Sequence, residues 1–233
     1  MSKNEIANAD TPSELPAYMA SSKGLGNENV GAGDKSMPYL KVLQALSPEV
    51  EEIPDAKAGE YYNSITHERA TQLQVVNLHY LKYFALFKDR KLGGGFEGNH
   101  ATKAAAQMHL AENKLNPAEW EITPTGRHIC LLLDKEGNAS SPVIINMSGS
   151  KMRVSNNWNS AIGIHCKETD RFGAVWTLST QKQTKGTDTW WNMAINYAGF
   201  PSEELYCEAF NCYEQVVAQM NDESNNEKED AAA

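Results

Sequence analysis

Apolar residues recur in this chain as short alternating runs through the middle and as one long helical stripe near the end. Residues 1–36 are rich in Gly, Ser, Asn and Ala and read as a mobile arm. In 37–50 (MPYLKVLQALSPEV), Leu40, Leu43 and Leu46 recur at about helical spacing, which predicts a helix ended by Pro48. The acidic stretch after it reads as a loop. Residues 59–65 predict a short aromatic strand, and 72–87 (QLQVVNLHYLKYFALF) a long one rich in β-branched and aromatic residues. Val76, Leu78, Tyr80, Phe84 and Leu86 share one parity there, but Lys82 interrupts them. A bulge or a strong bend reconciles the two.

Residues 102–115 predict a helix with Thr102 as its N-cap. Strands follow at 127–133 and 141–147, joined by a turn at 134–138. The polar stretch 148–162 reads as a short helix with loops, and 173–180 with 189–197 as a hairpin. Residues 203–220 give the clearest helix, with Leu205, Ala209, Phe210, Tyr213, Val216 and Met220 on one stripe. The stripe suits a core contact or a homodimer interface equally. Residues 221–233 lack an apolar anchor and should be disordered.

These elements predict a mainly β, α+β protein: an OB-like antiparallel β-barrel with an inserted helix, a C-terminal amphipathic helix and disordered termini. The boundaries are a flexible arm over 1–36, an OB-like domain over 37–200 with its helical insertion around 98–120, a helix over 201–220 and an acidic tail over 221–233.

Charge sharpens the reading. The formal net charge is −9, but residues 1–56 carry −5, residues 57–200 carry +4 and residues 201–233 carry −8. A basic middle between acidic ends suits a polyanion-binding domain with an acidic arm. The first residues are polar, and no apolar run nears the roughly 20 residues that span a bilayer, so a cytoplasmic protein without membrane contact is expected. The four cysteines form no CxxC pair and the six histidines no metal-binding spacing. No nucleophile–base–acid pattern stands out, so neither catalysis nor a cofactor or metal is expected.

What the strands do carry is basic residues interleaved with aromatics. Single-strand binders need cations for the phosphates and exposed rings on which bases stack. Candidates are Lys82, Tyr83, Lys88, Arg90 and Lys91 on and after the long strand, Lys151, Arg153 and Trp158 in the polar segment, and Lys182, Lys185 and Trp190 on the hairpin. Trp190 shares its strand face with Asn192, Ala194 and Asn196, which marks it as a stacking candidate, whereas Trp191 and Trp176 lie on apolar faces.

Gly149-Ser-Lys-Met-Arg-Val154, continuing to Trp158-Asn-Ser-Ala-Ile-Gly163, resembles a stretch of the single-stranded DNA-binding proteins of short-tailed bacteriophages. The resemblance covers about residues 143–178 and is architectural elsewhere. It implies an OB barrel that binds single strands with little sequence preference, and it points to Lys151, Arg153, Trp158 and Asn159 as lining or supporting the groove. It also implies a role in replication, recombination or repair, with an acidic tail that competes with DNA and contacts replication or recombination proteins. Asp222, Glu223, Glu227, Glu229 and Asp230 would form that tail, though the chain ends in three alanines where the family has acidic residues capped by an aromatic. The alternative is a non-catalytic interaction factor, a virus-encoded inhibitor or assembly protein, that does not bind DNA.

Overall fold

A computed structural model describes residues 25–31 and 34–230, with side chains up to residue 220. Residues 1–36 and 37–233 form two separate units. In the first, the Asp34 carboxylate accepts the Gly31 amide at 2.8 Å. Most of the expected N-terminal arm lies outside the described residues.

Among its described residues the second unit is mainly β with four α-helices. Its elements are β1 (Leu40–Val42), α1 (Pro48–Glu52), β2 (Tyr61–Asn63), β3 (Arg69–Ala70), β4 (Gln72–Lys88), β5 (Phe96–His100), α2 (Lys103–Glu112), β6 (Trp120–Leu133), β7 (Ala139–Ser148), α3 (Lys151–His165), β8 (Val175–Lys185), β9 (Asp188–Gly199) and α4 (Glu203–Asp230). All strand pairs in the two sheets are antiparallel. The large sheet runs β7-β6-β4-β8-β9 with β5 added to β4, and the small one runs β1-β2-β3.

The two edges of the large sheet, β7 and β9, do not pair, so no closed barrel forms. The small sheet lies across the gap. The Ile144 amide of β7 donates to the Pro38 carbonyl at 2.8 Å. At the other edge, the Gln44 side chain accepts from the Trp191 amide (2.8 Å) and donates to the Trp191 carbonyl (2.9 Å), a side-chain copy of a ladder rung. Gly59, with φ near +96°, passes so close to Trp191 that a Cβ there would sit 2.7 Å from the indole ring.

Two cores lie on opposite faces of the large sheet. On the inner face, Val75, Cys130, Val143, Ile145, Met147, Leu178 and Met193 pack with Leu40, Val42 and Tyr61 of the small sheet and with Trp158 and Ile162 of α3. Trp158 and Trp176 meet edge to face, 6.1 Å between centroids. At about 25 cal/mol per Å² of apolar surface, each ring contributes about 4–6 kcal/mol of burial, an upper bound. On the outer face, Val76, Leu78, Ile129, Leu131 and Leu133 take the stripe of α4 through Leu205, Ala209 and Val216.

A third cluster stands where β4, β5 and β6 project beyond both. There Leu86, Phe84 and Ile122 receive Ala106 and Leu110 of α2.

Several local expectations change. The apolar residues of 37–50 alternate instead of spiralling: Leu40 and Val42 are buried in β1 and Lys41 is exposed. Pro48 then opens α1 instead of closing a helix, since its ring fits the first helical turn. The segment expected as a short helix with loops is a 15-residue helix, α3. α4 does not stop at Met220 but continues to Asp230, because no Gly or Pro interrupts it. The expected bulge in the long strand falls between Asn77 and His79, where the β4–β6 register shifts.

Candidate nucleic-acid interface

The bulge sorts the residues of β4 between the two faces. Beyond it, Tyr80 lies opposite His128 and Lys82 opposite Gly126, on the side facing α3. Tyr83 and Phe87 lie on the outer side with His79, whose ring meets Tyr213 of α4 at 6.2 Å. That contact marks how far α4 covers β4: the outer face beyond His79 carries no helix packed against it among the described residues.

The uncovered stretch holds rings and cations together. The Arg127 guanidinium lies 5.0 Å from the centre of the Tyr83 ring and donates from Nε to Asn146 Oδ1 at 3.3 Å. Burial pushes the Tyr83 phenol pKa up, against the pull of Arg127. Four residues further along, Phe87 faces Phe96 of β5 across the strands, with centroids 5.6 Å apart. Phe87 is 41% exposed and Phe96 58%. Arg90 and Lys91 follow in a single exposed turn capped by Asp89, whose carboxylate accepts the Lys91 amide at 2.9 Å. Gly93, Gly94 and Gly95 all have positive φ, which lets the chain reverse within three residues into β5. One acid intrudes: Glu121 lies opposite Phe87 in the register.

The other sequence candidates do not join this patch. Lys82 and Lys88 lie on the inner side, Lys82 with its ammonium 5.9 Å from the Phe84 ring centre. Lys151 is half-buried at the start of α3, where burial lowers its ammonium pKa, and Arg153 is exposed two residues on. Trp158 is only 2% exposed and lies between His128 and Trp176, so it supports the core and offers no free ring face. Lys182 lies opposite Trp191 on the inner side of the hairpin, while Lys185 and half-buried Trp190 are on the outer side. From Tyr83 to Gln183, the residue opposite Trp190, there are eleven steps along β4 to Gln72 and four along β8 from Ser179. At about 3.3 Å per step this is up to about 50 Å. Asp222, Glu223, Glu227, Glu229 and Asp230 lie on the last part of α4, beyond the described side chains.

Phe96 and Arg127 were not among the residues that the sequence singles out. Phe96 follows three glycines and looks like loop, and Arg127 opens a strand expected from 127 but observed from Trp120. Period-2 alternation in β6 was the available signal for Arg127.

The inner face holds a buried polar network the sequence did not announce. His128 is fully buried; its Nε2 lies 2.8 Å from Ser155 Oγ and its Nδ1 3.0 Å from Asn77 Nδ2. These distances resemble a nucleophile–base–orienter chain, but the protons run the wrong way. Arg171 can only donate, and its Nε does so to Asn77 Oδ1 at 2.7 Å, which turns the Asn77 amide nitrogen toward His128. Nδ1 therefore accepts, Nε2 carries the proton, and Ser155 Oγ receives it instead of being activated. Burial first, then the Arg171 charge, pushes the His128 pKa down to about 3, so the ring stays neutral. Arg171 also donates to Asn159 Oδ1 at 2.6 Å and lies over Tyr80. Asn159 thus acts within the fold, holding Arg171.

Among the described residues, no group of three or more His, Cys, Asp or Glu side chains is placed to hold a metal ion, and no helix is long and apolar enough to cross a membrane.

No curated protein and no solved structure matches this chain. A family model described as Pam3 phage gp34-like protein matches residues 7–221, nearly the whole length. The chain belongs to the Pam3 phage gp34-like protein family.

Proposed function

We propose that this phage-family protein binds single-stranded DNA without catalysis, through the uncovered outer face of β4, β5 and β6. The observation that carries the reading is the exposed Phe87–Phe96 pair beside Arg90 and Lys91, with Tyr83 and Arg127 on the same face. Rings stack on bases of any sequence, and guanidinium and ammonium groups meet the phosphates. Lys82, Lys88, Lys151, Arg153, Lys182 and Lys185 then act as peripheral cations. In this reading the large sheet, with the small sheet laid across its edges, is an OB-like barrel left open at one seam. Replication, recombination or repair is the setting such a binder serves, in the host cytoplasm, with the acidic end of α4 competing for the cations and recruiting partner proteins.

The experiment is anisotropy of a fluorescein-labelled oligo-dT at low and moderate salt. A label on the DNA is needed because the buried Trp158 and Trp176 would report the core. Wild type should bind and weaken as salt rises. Phe87→Ala with Phe96→Ala should cost roughly 1–3 kcal/mol per stacked base. Absence of binding at low salt would rule the function out, and equal affinity for the double variant would move the site elsewhere.

A further inference from the structure

The outer face of the β8–β9 hairpin and of the start of β4 differs from every other surface of the sheet. The register aligns Gln74 with Thr177 and Asn196 in one row, Gln72 with Ser179 and Ala194 in the next, and Gln181 with Asn192 beyond. The opposite side of the same strands carries Leu73, Val75, Trp176, Leu178 and Ile195 and is core. None of these outer positions is charged. Gln72, Gln74, Gln181 and Asn196 are exposed, and their side chains make no hydrogen bond among the described residues. Trp190 closes the face opposite Gln183, with its indole N–H shielded and unpartnered.

A carboxamide holds a donor and an acceptor in one plane. That geometry matches a nucleobase edge, and it offers little to a phosphate. Splayed bases of a single strand are recognised by such amides together with a stacking ring. We propose that this amide face, with Trp190, is a second contact for single-stranded nucleic acid that reads base edges. The proposal rests on the DNA-binding reading above and adds to it a preference among bases. α4 covers the sheet between the two surfaces, so a single strand holding both would bridge them as two tethered contacts.

The test compares the wild type with a Gln74→Ala, Gln181→Ala, Asn196→Ala variant. The probes are labelled oligo-dA and an abasic phosphodiester of the same length. All three positions are exposed and polar, so unchanged thermal melting is expected and is checked first. The variant should lose about tenfold affinity for oligo-dA and none for the abasic strand. An Arg90→Ala, Lys91→Ala variant should weaken both probes. If wild type binds oligo-dA and the amide variant binds it equally well, the amide face is not a base reader and the function still stands. If wild type binds neither strand, the function itself fails and the inference with it. Binding of cellohexaose that the amide variant loses, with oligo-dA unaffected, would assign the face to a neutral glycan and overturn the proposal.

Discussion

His128 is a residue whose chemistry is set wholly by its neighbours. An ordinary histidine titrates near 6.5, and this one is held neutral to about 3 by burial and by Arg171. Below about pH 6.5 the unfolded chain takes up a proton that the native state refuses. The stabilisation is therefore complete above that pH and is lost as pH falls toward 3, at up to about 1.4 kcal/mol per unit. Urea unfolding at stepped pH between about 6.5 and 5, above most carboxylate titration, should show this decline. His128→Gln should flatten the slope, whereas an unchanged slope would place the proton uptake on another group. The same neighbours explain why a serine 2.8 Å from a histidine gives no sign of nucleophilic activation. Donor and acceptor roles decide that, and distances alone would have misled.

The long elements were legible in the sequence. β4, the hairpin β8–β9 and the buried stripe of α4 follow from periodicity repeated over elements of 11 residues or more. The small sheet was not, because β1 is three residues long: Leu40 and Val42 alternate, but Leu40, Leu43 and Leu46 fit a helical spacing as well. What decides between the two is distant: Gln44 reaches Trp191, 147 positions away, and no local pattern encodes that contact. The candidate interface was half legible for the same reason. Arg90, Lys91 and Tyr83 sit in a readable strand and turn, while Phe96 becomes their neighbour only through the β4–β5 register. Gln44 also carries a prediction about how the small sheet is held. Gln44→Ala leaves the amide and carbonyl of half-buried Trp191 unpaired, which should cost about 1–3 kcal/mol in chemical unfolding. Amide exchange at Trp191 should accelerate, and unchanged exchange would show that the small sheet is held by its other contacts to β7 and β8.

At the scale of the molecule, the proposed binding asks an acidic protein to present a cationic face, and the acidic end of α4 is where the two demands would meet. The apolar stripe that packs on the sheet runs to Met220, and the sequence beyond it holds no large apolar residue. Removing residues 221–233 deletes five carboxylates and Lys228, taking the formal net charge from −9 to −5. Melting should be unchanged, since no apolar surface is lost. If those carboxylates compete with DNA for Arg90, Lys91 and Arg127, the truncated protein should bind oligo-dT more tightly at low salt. The gain should shrink as salt shortens the Debye length to about 10 Å and below. A gain that persists at high salt would mean steric obstruction and not charge. No gain at any salt would leave the acidic end free from the outset, and the search for its role would turn to a protein partner.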